Sequence, residues 1–267
     1  MKIAIVTTGY LPVPPSRGGA VENLTYSFIK EIDIIVYFIY DKKSKQMAFA
    51  ENTEFIKVSF LIKFCDLFIY FIAKYVFRKE KTMSYRYILQ RIRFLRKVSK
   101  RISKTKFDRI VLENHYTEFM VFKWYNNYET YKDKIYYHAH NESSGSYGCE
   151  KFIKKAKFLC VSNYIGKVTK QKYSFIEEQN IFILHNYVDN VYFNSNHNFD
   201  KSKICKRYGI PFDKKIVLFT GRLNKEKGII ELIQAVSKLD RDDFRLVIVG
   251  NYFYNTSVKN TFTKQLD

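Results

Sequence analysis

Short apolar runs recur along this chain, separated by stretches with helical patterning. The runs are Ile3–Val6, Ile34–Ile39, Arg109–Leu112, Ile135–Tyr137, Phe158–Val161, Ile181–Leu184, Ile216–Phe219 and Leu246–Val249. They are too short for helices and lack polar alternation, so they predict parallel strands buried on both faces. Val21–Lys30 follows a glycine-rich loop and predicts a first helix. Tyr85–Ser103 sets Ile88, Ile92, Leu95, Val98 and Ile102 on one stripe with a period near 3.6, and Ile229–Leu239 repeats the pattern with Ile230, Leu232, Ile233 and Val236. Strands alternating with helices predict an α/β fold, a Rossmann-like doubly wound parallel sheet. The polar run Asn194–Asp200 reads as a linker. The expected division is an N-terminal Rossmann-like domain over 1–195 and a second over 196–267. That second part holds a single strand–helix–strand unit, too little to bury a core alone, so it is expected to be an incomplete Rossmann-like domain.

Composition narrows the function classes. With 46% hydrophobic and 18% aromatic residues the chain is not a disordered one. Cys65, Cys149, Cys160 and Cys205 form no C-x-x-C pair and have no histidine at metal spacing, which predicts free thiols and a cytoplasmic setting. The formal charge of +20 invites a nucleic-acid reading. Its location argues otherwise. Residues 57–106 hold fifteen Lys and Arg against two acids, Asp66 and Glu80. The same block contains the nearly continuous apolar run Val58–Phe77, in which Lys63, Asp66, Tyr70 and Lys74 form one narrow polar stripe. Those charges argue against a spanning helix. A wide apolar face beside basic residues predicts contact with an anionic membrane surface, with a pair of ordinary domain helices as the alternative. Nucleic acid ranks third, because no recognition motif and no series of base-stacking aromatics accompanies the charge.

Several strand ends carry residues suited to chemistry. Arg17-Gly18-Gly19-Ala20-Val21-Glu22 follows the first strand and opens the first helix. Two glycines let backbone amides approach a ligand, and open α/β sheets bind ligands at the carboxyl ends of their strands. This is neither a G-x-G-x-x-G fingerprint nor a phosphate-binding G-x-x-x-x-G-K-[ST] loop, so a nicotinamide cofactor is disfavoured. In Tyr136-Tyr137-His138-Ala139-His140-Asn141-Glu142, the two histidines share one face of a strand. No third metal ligand is evident from the sequence, so no metal is expected. His140 is placed where the strand emerges, and His138 is expected to be a satisfied interior histidine. Asp240-Arg241-Asp242 lies on the amino side of a strand and reads as a turn. Val217–Val236 is the most informative stretch. An apolar strand leads into Gly221, Arg222 and Lys227 follow, and Gly228 opens an amphipathic helix. Two cations at a strand end, beside the free amides of a helix start, form a receptor for a diphosphate.

Taken together these segments resemble family 4 glycosyltransferases, retaining enzymes of the GT-B fold. Gly18-Gly19-x-x-Glu22 resembles the family's N-terminal loop, and His140 the strand-end histidine near the donor sugar. Val161-Ser162 resembles the family's Val-Ser segment. Asn186-Tyr187-Val188-Asp189 with Phe193 is similar to its linker motif, with Tyr187 in place of the usual glycine. Gly221-Arg222 with Lys227-Gly228 is the most specific match, and Leu246–Gly250 resembles the next strand with its glycine. The resemblance implies a nucleotide-sugar donor held by Gly18, Gly19, Glu22, Asn186 and Gly221. It implies catalytic roles for Arg222, Lys227 and His140, and transfer with retention, without a metal, to a glycan or glycolipid acceptor. The family continues to a nucleobase-binding loop and an E-x7-E motif, and no Glu lies beyond Glu231 here. The expectation is therefore a chain shortened within the second domain, with impaired transfer. A non-catalytic fragment that binds membrane or glycolipid is the alternative.

Overall fold

The computed structural model describes residues 1–9, 11, 13–15, 19–29, 34–39, 53–78, 83–142, 145–188, 194, 200–239 and 241–250. They fall into two compact units, residues 1–187 and 188–267. In the first unit, seven strands form one sheet: β1 (Ile3–Val6), β2 (Ile34–Ile39), β3 (Thr53–Ile56), β4 (Arg109–Glu113), β5 (Ile135–Ala139), β6 (Lys157–Cys160) and β7 (Ile181–Ile183). The spatial order is β3-β2-β1-β4-β5-β6-β7, and every pairing is parallel. The chain runs outward from β1 in both directions, so the order reverses between β1 and β4. A reversal of this kind opens a crevice at the carboxyl ends of the two strands, where doubly wound sheets bind ligands.

The central strands match the apolar runs because they are covered on both sides. Ala4, Val6, Ile110, Leu112, Tyr137 and Phe158 are all buried. β3 was not anticipated. Its Thr-Glu-Phe-Ile sequence is half polar, as an edge strand paired only to β2 allows. The described helices of this unit are α1 (Ala20–Ile29), α2 (Phe60–Phe71), α3 (Ile88–Ile102), α4 (Asn127–Tyr131), α5 (Glu150–Ile153) and α6 (Asn163–Lys172). A π-helical turn, Ile72–Val76, extends α2, and 3-10 turns occupy Met83–Tyr87 and Tyr116–Lys123.

The core face of α3 differs from the predicted stripe. Leu95, Val98 and Ile102 are buried as expected, joined by Phe94 and Ser99, whereas Ile88 and Ile92 are exposed. Ser99 explains the rotation. Its Oγ donates to the Val121 carbonyl at 2.6 Å, and the Asn127 amide donates to the Ser99 carbonyl at 2.9 Å. This buried polar clamp fixes the 3-10 segment against α3. Tyr137 stacks with Phe119 at 5.4 Å and meets Tyr116 at 4.4 Å. Such pairs each add about 0.5–1.5 kcal/mol to simple burial.

The second unit pairs β8 (Lys215–Thr220) with β9 (Phe244–Val249) in parallel, with Val217 opposite Leu246. Two helices accompany them, α7 (Lys201–Tyr208) and α8 (Ile229–Ser237). Asp200 caps α7 by accepting from the Ser202 and Lys203 amides, and Gly209 ends it at φ +65°. Among the described residues only Cys205 and Ile229 form buried apolar positions here. Val217, Leu218 and Val249 remain exposed on strands of a type normally covered on both faces. At the amino ends of the strands, Lys214 pairs with Asp242 at 3.2 Å, and Asp240 lies outside the described residues.

Candidate functional site

The crevice of the N-terminal unit gathers side chains from the ends of β4 and β5, with Glu22 of α1 coupled to them. Glu113 is the last residue of β4, and the parallel register sets it opposite His138 of β5. Asn114 follows at φ +63°, a left-handed conformation that asparagine tolerates. From there its Oδ1 accepts the His140 amide at 3.0 Å, while its own amide donates to the His138 carbonyl at 3.0 Å. The end of β5 is thereby tied to the end of β4. Three ring and carboxylate atoms then close a triangle. His138 Nδ1 lies 3.2 Å from Glu113 Oε2, His140 Nε2 lies 3.4 Å from the same oxygen, and the two nitrogens are 3.2 Å apart. Burial raises the Glu113 carboxyl, but the hydrogen bonds and charges of His138 and His140 outweigh it and hold the carboxyl below its ordinary value.

Two more carboxylates belong to this region. Glu118, in the 3-10 segment, is fully buried, and burial followed by the Glu113 charge pushes its carboxyl well above the usual range. Glu22, in the first turn of α1, is buried and pushed up to about 7, chiefly by desolvation and further by Glu113. Gly19 sits beside it at φ +122°, and a Cβ there would come within 2.0 Å of Glu22 Oε2. The second glycine of the sequence motif is thus required both by backbone conformation and by the packing of Glu22. Gly18 lies outside the described residues. His115 accepts from the Thr117 hydroxyl through Nδ1 at 2.8 Å and lies 2.9 Å from an Arg91 guanidinium nitrogen through Nε2. Desolvation and the Arg91 charge lower it to about 3, so this imidazole is neutral at physiological pH.

The sequence reading located His140 and Glu22 but missed Glu113, Glu118, His115 and Arg91. The signal for Glu113 was the register of two apolar runs, which sets the last residue of one beside His138. The expected absence of a third metal ligand is corrected by the same contact, because Glu113 completes a buried set with the two histidines. Edges of 3.2–3.4 Å match one face of a tetrahedral ion with bonds of about 2.0–2.1 Å. A metal-bound imidazole, however, donates its other N–H to a further group. His138 Nε2 is buried with no such partner among the described residues, which argues against a bound metal, while Glu113 Oε2 is itself buried without a hydrogen bond and Glu113 Oε1 lies 3.3 Å from His138 Nδ1. His138 is therefore interior, as expected, but only one of its ring nitrogens is satisfied. Elsewhere, Ser162 caps α6 by accepting from the Ile165 amide, and Glu142 accepts from the Tyr164 hydroxyl. Asn186 is exposed beyond β7, while Asp189 and Phe193 lie outside the described residues.

In the second unit, the turn after β8 carries the other predicted residues. Gly221 follows the strand, and its amide donates to the Val249 carbonyl at 3.1 Å. A Cβ on Gly250 would come within 1.8 Å of the Gly221 carbonyl oxygen, so only glycine fits at the end of β9. Arg222 and Lys227 are both exposed on the turn. Lys227 ends the 3-10 segment Lys225–Lys227, and Gly228 at φ +68° leads into α8. The turn at the carboxyl end of this parallel strand thus carries two exposed cations and leads into a helix amino terminus.

Comparison with known proteins agrees with this layout. A stretch of 51 residues is 43% identical to a Bacillus subtilis (strain 168) protein described as a teichuronic acid biosynthesis glycosyltransferase, TuaC, covering 19% of this chain and 13% of that protein. A glycosyltransferase structure from Rickettsia africae ESF-5 matches 99% of this chain and 63% of its own, at 19% identity and a TM-score of 0.64. Anabaena Alr3699/HepE, solved in complex with UDP-glucose, matches 100% of this chain and 64% of its own, at 16% identity and a TM-score of 0.59. The chain therefore spans less than two thirds of the length of these structures. The fold is that of the GT-B glycosyltransferases, and residues 200–266 match the family model of glycosyl transferases group 1.

Proposed function

We propose that the protein is a glycosyltransferase that moves a sugar from a nucleotide-sugar donor to a glycan or glycolipid acceptor, with retention of configuration. The observation that carries this reading is the Gly221–Gly228 turn, with its two exposed cations and helix start, inside the stretch that matches glycosyl transferases group 1. Arg222 and Lys227 neutralise the charge that grows on the leaving diphosphate, the term that usually dominates transfers of this kind. The bond from the sugar anomeric carbon to the phosphate oxygen breaks with its electron pair going to the diphosphate. The acceptor oxygen bonds to that carbon from the same face, and its proton passes to the departing phosphate oxygen. No side chain of the chain need form a covalent intermediate.

The N-terminal crevice supplies positioning. Glu22, Gly19 and the Glu113–His138–His140 triad form a rigid wall at the strand ends, with the His140 backbone fixed by Asn114. Rigid placement of a reacting hydroxyl contributes through orientation. The two cations of the turn take the place of a divalent metal in this account. UDP-glucose, the ligand of the Anabaena structure, is the donor to try first. Calorimetric titration with UDP-glucose tests the reading. Binding that Arg222→Ala or Lys227→Ala weakens at least about tenfold supports it, as one lost charge-assisted contact requires. Unchanged binding in both variants refutes it.

A further inference from the structure

Helix α2 is built inside out. Phe60, Leu61, Phe64, Phe68, Phe71 and Tyr75 of the helix and its π-helical extension are 46–78% exposed. At 100° per residue they form one stripe roughly 100° wide. The opposite face is the one that packs, and its fully buried side chain is an acid: Asp66 is 0% exposed. Asp66 accepts from the Leu89 and Gln90 amides at 2.8 and 2.9 Å, capping the first turn of α3 across 23 residues of sequence. Asp66 thus has a structural partner inside the unit. The aromatic stripe faces outward, larger and more continuous than the scattered exposed hydrophobics of a soluble surface. Lys63 and Lys74 border the stripe along one flank, and the Lys74 ammonium lies 5.1 Å from the Tyr75 ring centroid.

A cationic groove begins just before this helix in the chain. Lys57, Lys97, Lys100, Arg101 and Lys104 line an open groove of about 600 Å³ that begins three residues before Phe60. Arg101 meets an acid there, Glu54, at 2.8 Å. Lys97 instead donates to the Lys57 carbonyl, which steadies the groove without cancelling charge. Arg93 and Arg96 extend the same surface along α3.

From this juxtaposition of an outward aromatic stripe, flanking lysines and a cationic groove, we infer that the N-terminal unit docks on an anionic lipid bilayer, with α2 lying in the plane of the interface. Twelve residues of α-helix reach about 18 Å, short of the roughly 30 Å of a hydrocarbon core. Among the described residues no helix is long and apolar enough to cross a membrane. The phenylalanines enter the acyl boundary while the lysines and arginines meet the phosphates. A second copy of the chain is a poor occupant, since pairing this face would bring two strongly basic surfaces together. Nucleic acid would match the groove but leave Leu61 and the phenylalanine stripe unsatisfied.

Co-sedimentation with vesicles tests the inference. The purified protein should pellet with phosphatidylcholine vesicles containing phosphatidylglycerol and remain largely in solution with phosphatidylcholine alone. Phe64→Asp/Phe68→Asp should lower the partition coefficient at least tenfold with an unchanged far-UV circular dichroism spectrum, because neither side chain packs in the core. Lys97→Ala/Lys100→Ala should lower it about fivefold per lysine in dilute salt. Failure of the parent protein to pellet with anionic vesicles overturns the inference, as does full binding by Phe64→Asp/Phe68→Asp. A dimer in light scattering that the same aspartates dissolve also overturns it, in favour of self-association. None of these results depends on sugar-nucleotide binding.

Discussion

Replacing Glu22 with glutamine should make the protein more stable, and only at the upper end of the pH range. Burial, with a contribution from Glu113, lifts this carboxyl from its ordinary 4.5 to about 7. Between those values the unfolded chain sheds a proton that the folded chain keeps, so rising pH favours the unfolded state. The loss approaches ~1.4 kcal/mol per pH unit and totals about 3 kcal/mol by neutral pH. Glutamine has nearly the same shape and no charge to desolvate. Glu22→Gln should therefore match the parent near pH 4.5 and exceed it by up to about 3 kcal/mol near pH 8. Urea unfolding followed by fluorescence suits the measurement, because the chain has one tryptophan, and Trp124 packs against the core of the N-terminal unit. A stability difference that does not change with pH would refute the reasoning. So would a parent that gains on the variant as pH rises.

Three further outcomes follow from the geometry. Asp66→Ala removes both caps of α3 and should cost about 2 kcal/mol, at the upper end for an N-cap, or roughly 4–8 °C in melting temperature. Asp66→Asn, which keeps one acceptor oxygen, should fall between. Gly250→Ala puts a methyl group 1.8 Å from the Gly221 carbonyl, so the strand end must shift. It should lose about 1–3 kcal/mol and weaken sugar-nucleotide binding by displacing the Arg222 turn; thermal melts and titration read both. Chelation with EDTA should leave sugar-nucleotide binding unchanged, and metal analysis should find far less than one zinc per chain. Stoichiometric zinc that His140→Ala abolishes would contradict the metal-free reading of the triad.

Much of the fold was legible because the central strands of the first sheet are covered on both faces, which forces uninterrupted apolar runs such as Ile3–Val6 and Phe158–Val161. β3 was hidden because an edge strand is held by one neighbour and tolerates Thr53 and Glu54. Glu22, His140, Arg222 and Lys227 were visible because strand-end glycines and cations stand out against apolar runs. Glu113 was not, since its importance comes from lateral register with His138, 25 residues away. Asp66 shows the same limit from another side. The sequence displays a polar stripe on an apolar helix, and solvent is the default partner for such a stripe. Two backbone amides of a helix more than twenty residues later turn that acid inward and leave the phenylalanines outside. The need for glycine at 250 likewise becomes apparent only when the parallel strand end brings the Gly221 carbonyl beside it.

The most direct test of the transferase account is calorimetric titration of UDP-glucose into the purified parent, Arg222→Ala and Lys227→Ala proteins. The account predicts measurable binding by the parent and a fall of at least about tenfold in each variant. A parent that does not bind, or variants that bind as the parent does, would contradict it.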